Sequence, residues 1–195
     1  MKHIHHGKSS AKFLDSDEIL RKLNFKGDET FMDAGCGDGH ISIKAAKKYL
    51  PEGTVYAVDA FDEAINVLEE YKNENSLENL IAVEADITKT VPGIKDSSVD
   101  VVLMVNVIHG FKNSAEMDDV IGELKRLTKN GGKIAVIDFK PIEMEFGPPV
   151  DIRFSPDELK EIFAEAGFEM SFLDEDIGED IPEGKSHYMI IFKKE

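Results

Sequence analysis

Asp33, Gly35, Gly37 and Gly39 fall within the seven residues DAGCGDG, directly after the apolar approach TFM. Glycines placed where a buried strand ends and a helix begins leave converging backbone amides open to a ligand, because no Cβ blocks the approach. Further along, Asp59 ends the run VYAVDA, Asp86 stands in EADIT and Asn106 ends VDVVLMVN. Asp33 alone could cap a loop and Asp86 a helix. Presented together at strand ends along one edge, they favour a bound nucleotide-like cofactor. Two nucleotide motifs are excluded by spacing. The dinucleotide fingerprint needs a small residue where His40 stands, and no Gly-Lys-Ser/Thr follows the glycines as a phosphate-binding loop requires. His40, at a helix start, is read as structural.

Such a constellation needs a scaffold that brings strand ends to one rim. TFMDAG, TVYAVDA, LIAVEAD, VDVVLMVNV and GKIAVIDF are β-branched runs of strand length bounded by turn residues. Helical patterns lie between several of them. HISIKAAKKYL is ended by Pro51 and Gly53, and DEAINVLEEYKNEN places Ala64, Ile65, Leu68 and Tyr71 on one face. In SAEMDDVIGELKRLTKNGG, Met117, Val120, Ile121, Leu124 and Leu127 form a stripe, with Gly131 expected to close the helix. DSDEILRKLNF predicts a short helix before the first strand, capped by Asp15 or Ser16, with Ile19, Leu20 and Leu23 in register. SPDELKEIFAEAGF carries Ser155 as N-cap, Pro156 in the first turn, Glu158 completing a capping box and Gly167 past the end. FEMSFLD and SHYMIIFKK read as a sixth and a seventh strand, joined by the loop EDIGEDIPEGK without a helix and therefore antiparallel to each other. The expected fold is α/β: a Rossmann-like, seven-stranded, mostly parallel sheet with helices on both faces and an antiparallel last strand.

With DxGxGxG after the first strand, acidic residues after the second and third, and a reversed last strand, the chain resembles the class I S-adenosylmethionine-dependent methyltransferases from about Asp15 to Lys194. It is also loosely similar to the quinone-biosynthesis C-methyltransferases. The resemblance implies S-adenosyl-L-methionine as cofactor. Gly35, Gly37 and Gly39 would pass the methionine part, and Asp33 would help hold its amino group. Asp59 would accept the ribose hydroxyls, Ala60 and Phe61 would line the adenine, and Asp86 with the Ile87 backbone would bind the adenine amino group. Asn106 would face the methionine and the methyl group.

Methyl transfer from a sulfonium is an in-line displacement, so a protein contributes alignment, a dry cavity and, where the acceptor loses a proton, a base. His109, just past the fourth strand, is the candidate base. Asp138 and Lys140, near the end of the fifth strand, could orient a polar acceptor, the plainer alternative being paired surface charge. Arg153 after GPP could clamp a carboxylate or form an ordinary salt bridge. The arm of residues 1–14 could fold over the site as a lid, with Phe13 packing on bound ligand. His3, His5 and His6 could bind metal with His109, although histidines near a chain end more often form a mobile tail, and no metal is expected.

The 195 residues suit one domain, 42% hydrophobic, with a single cysteine, Cys36, that excludes an internal disulfide. Thirty-nine acidic against 23 basic residues give a net charge of −16, which disfavours nucleic-acid partners. MKHIHHGKSS lacks the hydrophobic centre of a signal peptide and no run is long enough to span a bilayer, so a soluble cytoplasmic protein is expected. The leading expectation is a methyltransferase acting on a small-molecule acceptor. A non-catalytic S-adenosylmethionine-binding sensor or partner subunit is the alternative, and a nicotinamide-dependent oxidoreductase is made less favourable by His40 and the antiparallel ending.

Overall fold

Among the described residues there are seven strands: β1 (Thr30–Ala34), β2 (Thr54–Asp59), β3 (Leu80–Glu84), β4 (Val99–Val105), β5 (Thr128–Phe139), β6 (Phe168–Ile181) and β7 (Gly184–Lys194). In the computed structural model, which describes residues 12–195, they form one sheet in the order β3-β2-β1-β4-β5-β7-β6. Strands β1 to β5 pair in parallel, and β7 runs antiparallel to both β5 and β6. The chain builds outward from β1 to β3 and then crosses back to β4. The carboxyl ends of β1 and β4 therefore face a crevice where strand order reverses, the place where open α/β sheets take ligands.

The helices are α1 (Ser16–Leu23), α2 (His40–Lys44, prolonged by a π-helical turn at Ala45–Tyr49), α3 (Asp62–Asn75), α4 (Met117–Leu127) and α5 (Pro156–Glu165). They cover both faces of the sheet, which is why β4 is buried along almost its whole length instead of alternating. Ile19, Leu20 and Leu23 of α1, Ile41 of α2 and Ile65 and Leu68 of α3 pack on the face that carries Phe31 and Val55. Val120, Ile121, Leu124 and Leu127 of α4, with Leu159 and Phe163 of α5, pack on the opposite face with Met32 and Val102. Each fully buried aliphatic side chain stabilises the fold by about 1.5–3 kcal/mol before entropy is counted. The crossover from β3 to β4 has no helix, and Ile87, Val91 and Ile94 plug it into the core instead.

Caps fix where the helices begin. Of the two candidates before α1 it is Asp15 that caps, accepting the Asp17 N–H at 2.8 Å. In α5 the capping box is complete: Ser155 Oγ accepts the Glu158 N–H at 3.2 Å, and Glu158 Oε2 accepts the Ser155 N–H at 2.7 Å.

Two boundaries differ from the sequence expectation. Helix α4 ends at Leu127, not Gly131, because Thr128 enters the sheet opposite Val99 while its hydroxyl donates to the Leu124 carbonyl at 2.7 Å. The pairing then jumps to Val101 with Lys133, and Gly131 lies in the resulting bulge. The segment 175–185 is not a loop, since β6 and β7 continue through it as one long hairpin with three register shifts. Ile177 explains the continuation: it is buried against the α1 side of the sheet and anchors the outer hairpin there. Among the described residues no helix is long and apolar enough to cross a membrane.

Candidate functional site

The loop after β1 is tied to its neighbour by Gly35 N–H and Cys36 N–H, which both donate to the Val58 carbonyl, at 2.7 and 3.0 Å. Its three glycines serve different ends. At Gly35 a Cβ would collide with Val107, just beyond β4, and at Gly39, the N-cap of α2, it would lie 2.6 Å from Leu68 Cδ1. Those two positions let the loop sit tightly between β4 and α3. At Gly37 nothing lies within 4 Å of the Cβ position, so this glycine keeps backbone open to solvent. Its N–H donates to Asp59 Oδ2 at 2.8 Å, while Asp59 Oδ1 accepts the Phe61 N–H at 3.1 Å. Two amides thus orient the carboxylate at the end of β2, and a carboxylate has about four acceptor positions, so capacity remains for a ligand's hydroxyls.

Beside it, Ala60, Glu84, Ala85, Asp86, Lys89, Thr90 and Pro92 line a shallow cleft of about 290 Å³. Asp86 Oδ1 accepts both the N–H and the hydroxyl of Thr88, at 3.0 and 2.7 Å, and Oδ2 faces Lys89 Nζ at 3.0 Å. Burial would raise this carboxyl, but the Thr88 and Lys89 contacts outweigh it and hold it below the usual range. Ile87 points away into the core and does not line the cleft.

Asp33 is buried and accepts the Ser42 hydroxyl at 2.6 Å through Oδ2. Burial pushes its carboxyl up to about 6, against the Ser42 hydrogen bond, which lowers it. Asn106 follows β4 in a left-handed conformation (φ +57°) with its N–H on the Ile137 carbonyl at 2.9 Å. Its buried side-chain oxygen Oδ1 has no hydrogen-bond partner among the described residues. A buried acceptor left unmet costs about 1–3 kcal/mol, so this oxygen suits a ligand donor such as an ammonium. The glycine loop is adjacent, since Val107 packs against Gly35. His40 pairs with Asp38 at 2.8 Å, as befits a structural residue.

The second half of the rim lies at the ends of β4 and β5. His109, on a 3-10 turn at Ile108–Phe111, places Nδ1 2.9 and 3.0 Å from the two carboxylate oxygens of Asp138. Asp138 is fully buried, so it is neither surface charge nor an acceptor-orienting group paired with Lys140. The Lys140 N–H instead donates to Ser186 in β7. Arg153 also departs from expectation: buried, it pairs with no carboxylate among the described residues. Its guanidinium donates to the carbonyls of Lys140 and Ile142 at 3.2 and 2.6 Å, of Phe146 at 3.3 Å and, through Nε, of Pro148 at 2.8 Å. It thereby staples the segment 140–148 into shape while lying 5.6 Å over the Phe139 ring. Phe13 stacks on Phe146 with centroids 5.2 Å apart and meets Phe139 edge-on at 6.3 Å, so its packing partner here is that segment. Residues 1–11 of the expected lid, His3, His5 and His6 among them, lie outside the described residues, and Leu14 is buried in the core. Among the described residues no group of three or more side chains could hold a metal.

His187 went unnoticed in the sequence. It is fully buried, lies 4.0 Å from the Phe139 ring, contacts Ser186 Oγ through Nδ1 at 2.7 Å and is pushed down to about 4 by burial. The available signal was the polar pair Ser186–His187 opening an otherwise apolar strand.

Residues 25–194 match the methyltransferase domain family, and the chain belongs to it. The cofactor of this family is S-adenosylmethionine. Phosphoethanolamine N-methyltransferase 1 of Triticum aestivum is 32% identical over 131 residues, 66% of this chain and 25% of that protein. Demethylmenaquinone methyltransferase of Lactobacillus johnsonii is 25% identical over 121 residues, 62% of this chain and 48% of that one. The matches thus span half or less of those relatives' lengths. A solved SAM-dependent methyltransferase from Aquifex aeolicus superposes with a TM-score of 0.80 and 26% identity, covering 96% of this chain and 94% of that one.

Proposed function

We propose that the chain moves the methyl group of S-adenosylmethionine to a small-molecule acceptor. The observation that carries this reading is the Gly37–Asp59 hydrogen bond, which joins the open loop over β1 to the carboxylate at the end of β2. One ligand can then meet both. Asp59 would hold the ribose hydroxyls, the cleft at Ala60 and Asp86 would take the adenine, and Asn106 Oδ1 with Asp33 would meet the ammonium. Bound there, S-adenosylmethionine supplies a methyl group on a positively charged sulfur. The protein's part is to align it with the acceptor and keep water out.

Two observations favour a small acceptor. The segment past β5 is held in a fixed shape by Arg153 and by Phe146 stacked on Phe13, which suits a defined small ligand, and the charge of −16 repels phosphate polymers. The two named relatives are also titled for small acceptors, phosphoethanolamine and demethylmenaquinone.

Calorimetric titration with S-adenosylhomocysteine tests the donor site. Micromolar binding is expected, with no response to NAD and a loss of about 100-fold or more in Asp59→Ala. Unchanged affinity in that variant would remove the ribose role. Turnover across a panel of small acceptors tests the transfer itself.

A further inference from the structure

We infer that Asp138 positions His109 as a general base, with the ring's lone pair held at Nε2, for an acceptor whose reacting atom gives up a proton on methylation. This rests on the reading of the chain as a methyltransferase. The geometry fixes the tautomer. Asp138 Oδ1 accepts the Phe139 N–H at 2.8 Å and Oδ2 accepts the His109 N–H at 3.2 Å, so both oxygens face donors. The same two oxygens lie 2.9 and 3.0 Å from His109 Nδ1. A carboxylate whose oxygens both act as acceptors requires the ring nitrogen to donate. In the neutral imidazole the hydrogen then sits on Nδ1 and the lone pair on Nε2.

The surroundings make the pair consequential. Asp138 is fully buried, and among the described residues no lysine or arginine pairs with it, so the imidazole is its side-chain partner. A buried carboxylate is costly to desolvate, and here its hydrogen bonds to the ring and to two backbone N–H groups offset that cost. His109 stands three residues beyond Asn106, on the turn that follows β4. In the step itself the acceptor atom forms its bond to the methyl carbon while the carbon–sulfur bond breaks and leaves its electron pair on sulfur. The acceptor's proton passes to His109 Nε2, and the imidazolium, held beside Asp138, later returns it to water. Acceptors of this class are phenols, hydroxyquinones and activated carbon acids. Tertiary amines and thioethers have no such proton to lose.

Long-range 1H–15N correlation of the full-length, 15N-labelled protein near neutral pH reads the tautomer without any acceptor. A protonated Nδ1 and a bare imine-type Nε2 are expected at His109, and the opposite tautomer would overturn the proposal. Calorimetry with S-adenosylhomocysteine on the same sample separates the two readings, because failure to bind it strikes the methyltransferase reading and leaves the tautomer result standing. Activity is then measured on substituted phenols and naphthols of graded acidity, with a thioether and a tertiary amine as contrasts. For Asp138→Asn, kcat is expected to fall about 100-fold on weakly acidic phenols, by less than about threefold on a nitrophenol already ionised, and with KM for the donor unchanged. An equal loss on both phenols would show a purely structural role and overturn the proposal. So would turnover of the thioether or amine alone, or a donor-binding protein that methylates no phenol or naphthol.

Discussion

Replacing Asp33 by asparagine isolates the carboxylate that the fold holds furthest from water at the glycine loop. Asp33 is 2% exposed, and burial raises its carboxyl from 3.8 to about 6. A carboxyl pKa higher in the folded than in the unfolded chain means that the folded state binds more protons between those two values. Wild-type stability therefore falls as pH rises from about 4 to about 6 and stays at the lower level above. At about 1.4 kcal/mol per pH unit, the fall amounts to about 3 kcal/mol. Asparagine keeps an oxygen for the Ser42 hydroxyl and removes the titration. Asp33→Asn should match the wild type near pH 4 and exceed it by about 3 kcal/mol at neutral pH, roughly 6–12 °C in Tm for a chain of this size. Thermal unfolding followed by circular dichroism across this range, without donor, reads the difference. An offset independent of pH, or a variant less stable at neutral pH, would refute burial as the governing cause. In the same variant, donor affinity should fall about tenfold or more, since a charged hydrogen bond to an ammonium is lost. Stability gained at the expense of binding is the pattern expected where a site keeps a strained group for its ligand.

The glycines give a paired test. Gly37→Ala puts a methyl group into open space and should lower donor affinity about tenfold while costing about 1 kcal/mol for its left-handed backbone. Gly39→Ala forces Leu68 to repack and should cost about 2–4 kcal/mol with a smaller effect on affinity, so the reverse ranking would contradict the division of roles. Arg153→Ala leaves the carbonyls of residues 140–148 without their donor; loss of about 2–4 kcal/mol and faster amide exchange confined to that segment are expected, and exchange unchanged there would show that the staple is dispensable.

The placement of the candidate donor residues at strand ends was legible because a parallel sheet brings the carboxyl ends of its strands to one rim. A glycine loop after β1 and acidic residues after β2 and β3 follow one another in chain order, so their arrangement along the rim could be read before any contact was seen. The finer division was not legible. Gly35 and Gly39 are indistinguishable from Gly37 until Val107 and Leu68 are seen against them, and the burial of Asp33 against Ser42, nine residues on, has no local signal. The acceptor half depends on pairings between residues far apart in the chain: Asp138 with His109, and Arg153 with the carbonyls it gathers. Neither has a local pattern. The long β6–β7 hairpin was hidden for a similar reason, since its glycine and proline residues mark bulges and a turn within continuous pairing.

The same pairings bear on the choice between an enzyme and a protein that merely senses the donor. A sensor needs the glycine loop, Asp59 and the cleft beside Ala60, and nothing beyond Asn106. This chain also buries a carboxylate against an imidazole past β4, an arrangement that forfeits hydration on both groups and contributes no contact to a donor held at Asp59. It further commits a buried arginine to shaping the segment that borders it. A second molecule that came there and exchanged a proton would give these groups a use that a sensor lacks. That is what separates transfer from retention of the donor, and loss of turnover with donor affinity intact in His109→Gln is its direct expression.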